Sequence, residues 1–92
     1  MKVKVRSFGP LMKALGHENV LELQDGATIG HLLTALAQRA EGFKEDFLLG
    51  YDDKRPNMAV LLNGLNIQLL EGLKTVLRDG DTVSLLPPAA GG

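Results

Sequence analysis

The chain has no cysteine. Disulfides, thiolate nucleophiles and Cys-ligated zinc are therefore excluded as working parts. The same absence fits a cytoplasmic protein. Histidine is scarce: His17 and His31 are the only two, and they stand in no zinc-type spacing. No apolar run approaches the ~20 residues of a membrane span. The opening Met-Lys-Val-Lys-Val-Arg-Ser-Phe alternates where a secretory signal would be continuously apolar. Neither sign of charge is in excess, since ten Lys and Arg face eleven Asp and Glu. Phosphate neutralisation needs clustered cations, so neither nucleic acid nor a membrane is the expected partner. The glycines form no phosphate-binding loop. Asp79 and Asp81 bracket a turn and read as turn formers rather than an acid–base pair. What is present is a chain of 92 residues, 45% hydrophobic. That describes one small globular domain with a modest core and little room for a deep pocket.

The hydrophobic pattern predicts the elements. Residues 2–8 alternate, with Val3, Val5 and Ser7 on one face and Lys2, Lys4 and Arg6 on the other. Gly9-Pro10 breaks this strand, and residues 11–15 suit one or two helical turns ended by Gly16. A second strand is expected over 18–24, with Leu21 and Leu23 facing inward. Asp25-Gly26 turns the chain, and Thr28 stands where a helix N-cap belongs. Ile29, Leu32, Leu33, Leu36, Ala37 and Ala40 then recur at spacings of three and four, and Gly42 is placed to stop the helix.

Residues 43–57 suit either a short second helix or an irregular packed segment, followed by a polar loop at 52–57. Residues 58–62 form a short apolar strand. Asn63-Gly64 favours a hairpin turn, with a brief return strand at Asn66-Ile67. Asp79-Gly80-Asp81 is another turn, and residues 82–86 are the last strand, ended by Pro87-Pro88.

One helix against a small sheet is a two-layer α+β arrangement. The first strand fits centrally, with the last strand parallel beside it and the helix making a right-handed connection across one face. The expected fold is the β-grasp, or ubiquitin-like, arrangement: a mixed four- to five-stranded sheet packed on one main helix. The expected core is Val3, Val5, Leu21, Leu23, Ile29, Leu32, Leu33, Leu36, Val60, Leu62, Val83 and Leu85. The β-grasp domain is expected over 1–88, with 89–92 as a flexible Gly-Gly tail.

The ending carries the chemistry. At the chain's own glycine content, two final glycines arise by chance in roughly one chain in 70. They follow Pro87-Pro88 by only Ala89 and Ala90. Six residues extend about 20 Å, and a diproline resists collapse. Alanine and glycine have small cross-sections, so this tail can thread a narrow channel in another protein. The terminal carboxylate is ionised at neutral pH and is a poor electrophile. Adenylation by ATP on a partner enzyme would activate it. Attack by sulfur would then give a thiocarboxylate, and attack by a lysine amine an isopeptide. An inert, frayed end is the third reading.

Asn63-Gly64, the stretch Leu77-Arg78-Asp79-Gly80-Asp81-Thr82-Val83 and the ending Leu85-Leu86-Pro87-Pro88-Ala89-Ala90-Gly91-Gly92 resemble the MoaD/ThiS family of β-grasp sulfur carriers. The ending most resembles the molybdopterin synthase small subunit. The resemblance implies no independent active site and no bound cofactor. It implies that Gly92 is adenylated by an enzyme related to ubiquitin-activating enzymes, which uses ATP, and is then converted to a thiocarboxylate. Gly91 would give clearance, and Pro87 and Pro88 would aim the tail. Leu86, with Pro87, Pro88, Ala89 and Ala90, would meet partners. These partners would be the adenylating enzyme and a molybdopterin synthase large subunit. Longer relatives include archaeal modifiers and carriers for other sulfur pathways such as thiamine, cysteine and tRNA thiolation.

Overall fold

A computed structural model describes residues 1–87. Strand β1 (Lys2–Ser7) alternates exposed and buried along its whole length. It pairs antiparallel with β2 (Glu18–Glu22), in a register that sets Val3 opposite Leu21 and Arg6 opposite Glu18. Between them, α1 (Pro10–Leu15) opens with proline at its first position and buries Leu11. Proline suits that position because its missing N–H has no helical partner there.

The principal helix, α2 (Ile29–Arg39), starts where a capping box is formed. The Thr28 hydroxyl accepts from the His31 N–H, and His31 Nδ1 accepts from the Thr28 N–H at 3.0 Å. The helix buries Ile29, Leu32, Leu33, Leu36 and Ala37. It ends at Ala40, which is extended (φ −138°), rather than at Gly42. Gly42 lies inside the next turn, α3 (Glu41–Phe43), which runs into a π-helical turn over Lys44–Leu48. The break at Ala40 redirects the chain, and Phe43 is fully buried beyond it.

Strands β3 (Ala59–Leu62) and β4 (Leu65–Asn66) form a hairpin. Its turn residues, Asn63 (φ 51°) and Gly64 (φ 86°), are both left-handed, as a primed two-residue turn requires. The return strand begins one residue earlier than expected, and Ile67 leads a 3₁₀ turn with its side chain buried. After a second 3₁₀ turn at Gly72–Lys74, β5 (Thr82–Leu86) enters the middle of the sheet. It runs parallel to β1 and antiparallel to β3, giving the order β2-β1-β5-β3-β4. This is the expected β-grasp topology: a five-stranded mixed sheet on one main helix.

The inward faces of β1, β3 and β5 and the α2 stripe share one core. Two expected members sit at its margin instead. Leu23 lies past the end of β2, whose last residue is Glu22, and Leu62 ends β3; both are half-buried against the core. Leu23 keeps ladder-like bonding, its N–H donating to Met1 O at 2.9 Å and its carbonyl accepting from the amino terminus at 2.8 Å. Leu11, Ala27, Phe43, Met58, Ile67 and Leu77 complete the buried hydrophobic set. No helix among the described residues is long and apolar enough to cross a membrane.

Candidate functional site

The candidate site is the root of the tail, where β5 delivers the chain to the surface. Leu86 is the last residue of β5, and the strand's alternation buries Val83 and Leu85 on the helix side. Leu86 therefore faces away from the helix, opposite Ala59 of β3, and is half-exposed. Beside it the chain of β1 continues for one further residue. The Phe8 N–H donates to Leu85 O at 3.0 Å, which extends the parallel pairing past Ser7–Leu85. Phe8 thereby comes alongside Leu86 on the outer face, 39% exposed. The Arg6 guanidinium carbon lies 5.7 Å from the centre of the Phe8 ring, within the range of a cation–π contact.

Pro87 is exposed and abuts the turn after β1. Gly9 occupies that turn with φ 60° and ψ −139°. A Cβ at Gly9 would stand 3.2 Å from Pro87 Cγ. The backbone at Gly9 is one that L-residues avoid, and a Cβ there would also crowd the Pro87 ring by a few tenths of an ångström. The contact fixes the direction in which the chain leaves the sheet. Of the expected site residues, Leu86 and Pro87 are brought together with Phe8, Gly9 and Ala59. Pro88, Ala89, Ala90, Gly91 and Gly92 lie outside the described residues, as does the expected domain boundary at 88.

The outer face near this root is apolar at Phe8, Ala59, Leu61 and Leu86, and cationic along β1 at Lys2, Lys4 and Arg6. Sequence reasoning missed Phe8 and Gly9. The signal was available for Phe8. The alternation over 2–8 puts it on the same face as three cations, where a phenyl ring gains nothing from water. Gly9 gave no such signal, because its partner Pro87 is 78 residues away in the chain.

The segment between α2 and β3 is held by a second polar cluster. The Asp53 carboxylate accepts from the Tyr51 hydroxyl and from the Leu73 N–H, each at 3.0 Å, and its carbonyl accepts from Gln68 Nε2 at 2.8 Å. Burial, then the hydrogen bond and negative charge of Asp53, push the Tyr51 phenol well above its ordinary range. Asp53 therefore ties the polar loop at 52–57 to the segment after β4. His31 is exposed and occupied in the α2 cap, and His17 is exposed.

The ThiS family model matches residues 5–92. Small archaeal modifier protein 3 of Haloferax volcanii is 33% identical over the full length of both chains. The molybdopterin synthase sulfur carrier subunit of Mycobacterium tuberculosis is 32% identical, covering 100% of this chain and 99% of its own. Among solved structures, a chain in the protein–protein complex of subunits 1 and 2 of the molybdopterin-converting factor from Helicobacter pylori matches with a TM-score of 0.63. It is 35% identical over the whole of both chains. The β-grasp fold and the full-length matches agree: the chain belongs to the MoaD/ThiS family of non-catalytic sulfur carriers and small archaeal modifiers.

Proposed function

We infer that the chain carries sulfur on Gly92 as a thiocarboxylate. In the first step the Gly92 carboxylate attacks the α-phosphorus of ATP on a partner enzyme. Acyl-adenylate forms and pyrophosphate leaves. A sulfide ion then attacks the acyl carbon, and AMP leaves. Where the sulfur arrives as a persulfide, the same attack gives an acyl disulfide, and a second thiol cleaves its S–S bond, leaving as a disulfide and releasing the thiocarboxylate. The thiocarboxylate so formed is the donor in a second complex, in which a partner binds the tail in a narrow channel. The observation that carries this reading is the geometry of the tail root. The last strand lies between two others and cannot slide, and Pro87 leaves it against Gly9. An apolar face at Phe8, Ala59 and Leu86 surrounds that exit. This combination suits insertion of the residues after Pro87 into another protein. The small cross-sections of Ala89, Ala90, Gly91 and Gly92 suit it equally.

The acceptor pathway proposed is assembly of molybdopterin for a molybdenum or tungsten cofactor. The similarity to a molybdopterin synthase sulfur carrier subunit and to a subunit of a molybdopterin-converting factor complex supports this. A second reading is conjugation through Gly92 to lysine amines, supported by the similarity to a small archaeal modifier protein. Both need the same activated tail. Intact mass of the protein from its own cells separates them. Replacement of one carboxylate oxygen by sulfur is expected for the carrier. Heavier species bearing a Gly-Gly-modified lysine are expected for the modifier. Removal of Gly91 and Gly92 should abolish either activity while the unfolding transition stays in place. Full activity after that deletion would refute both.

A further inference from the structure

The outer face of the sheet has a polarity that the tail alone does not require. Lys2, Lys4 and Arg6 project from β1 in one column, and Glu18 and Glu22 flank that column from β2. Register sets Arg6 opposite Glu18 and Lys2 opposite Glu22. Cross-strand neighbours of opposite sign gain a modest stabilisation when they pair. Here, among the described residues, none of the three cations comes within ion-pair distance of a carboxylate; the amino terminus with Asp25, at 3.9 Å, is the pair that forms. Arg6 instead leans over Phe8, toward the tail root. The column is also ordered relative to that root. Since β1 runs parallel to β5, Arg6 is nearest to where the chain leaves the sheet. At a strand rise of ~3.3 Å per residue, Lys4 lies about 7 Å and Lys2 about 13 Å behind Arg6.

On the reading that the tail is activated by another enzyme, we propose that this column docks on an acidic rim around the mouth of that enzyme's tail channel, with Arg6 as the specificity-determining contact. Any protein that receives the residues after Pro87 must stand over the end of β5, and so over Arg6 and Phe8. A guanidinium held on a ring is pre-oriented to take a carboxylate in two parallel hydrogen bonds. A nucleic acid is the poorer occupant, because Glu18 and Glu22 on the adjacent strand repel a phosphate backbone. Complementary charge of this kind acts mainly on encounter and partner choice.

The test uses the full-length chain and the ATP-dependent adenylating enzyme of the same organism, with pyrophosphate release as the readout. Arg6→Glu should lower kcat/KM about tenfold or more at low ionic strength with kcat unchanged. Lys4→Glu should cost less, and Lys2→Glu least. High salt should shrink all three losses, and Arg6→Lys should keep most of the wild-type rate. Unchanged kcat/KM for Arg6→Glu would overturn the proposal, and so would equal losses from all three reversals, which report net charge alone. If the wild-type chain itself releases no pyrophosphate, the tail reading fails and this proposal with it. If the wild-type chain is activated and Arg6→Glu matches it, this proposal alone fails.

Discussion

The carboxylate of Asp53 binds the backbone N–H of Leu73 at 3.0 Å, across 20 residues of chain, and it fills the space where a side chain on Gly72 would begin. Gly72 has φ 57° and is buried. Two independent constraints therefore meet at one glycine. A Cβ there would collide with Asp53, and the backbone would be strained even if Asp53 moved aside.

Gly72→Ala should destabilise the fold by about 1–3 kcal/mol, from strain and the displaced carboxylate together. Asp53→Ala should cost about 1–3 kcal/mol by leaving the Leu73 N–H without its acceptor. If collision with Asp53 dominates the alanine penalty, the double variant will be more stable than the sum of the singles predicts. Chemical denaturation of the four proteins reads this directly.

Tyr51 is the only tyrosine, so its ionisation can be followed by ultraviolet absorbance without interference. Its phenol is held above the ordinary value of 10.0, first by burial and then by Asp53. The sign follows from linkage. Above pH about 10 the unfolded chain ionises its tyrosine while the folded chain does not, so stability should fall as pH rises there. Below that value the contribution is constant. Tyr51→Phe should remove this part of the alkaline loss. A phenol that titrates at its ordinary value in the folded protein would show that the Tyr51–Asp53 contact is open in solution.

Phe43 is completely buried and stacks at 6.1 Å on Phe47, although no periodic pattern announces it. Phe43→Ala should cost about 3–5 kcal/mol, and Leu36→Ala about 2–5 kcal/mol. Leu49, 66% exposed on the neighbouring turn, should tolerate alanine within about 0.5 kcal/mol. Equal losses at Phe43 and Leu49 would contradict the observed packing.

Gly9→Ala separates stability from presentation of the tail. Strain at φ 60° should cost about 1–3 kcal/mol. The contact with Pro87 must also widen, so activation of the tail should fall further than the folded fraction does. Loss of activity in strict proportion to unfolding would mean that the Gly9–Pro87 contact only supports the fold.

Much of the architecture was legible because it is periodic. The alternation of Val3, Val5 and Ser7 gave a strand and its inner face, and the Ile29-to-Ala37 stripe gave the helix. Asn63-Gly64 and Asp79-Gly80 gave turns through their conformational demands. Leu11, Phe43, Ile67 and Leu77 were not legible as core, because each stands in a segment too short to show a period. Their burial depends on where distant loops are pinned, as Asp53 pins the segment before β3. The helix end was misplaced for a related reason. Gly42 is a good stop signal, but the chain turns earlier, at Ala40. At the candidate site, the composition of the tail was legible from its residues. The Phe8 platform and the Gly9 passage for Pro87 depend on pairing between the two ends of the chain.

That pairing also gives the order of events a direction. The strand that carries the tail is the last of the five in chain order, yet it occupies the centre of the sheet, between β1 and β3. Until it inserts, the earlier strands have no shared neighbour and the Phe8 ring has nothing beside it. A nascent or damaged chain would therefore lack the flanking surface at Phe8, Ala59 and Leu86. On the proposed reading, only molecules whose sheet has closed would present the tail for activation.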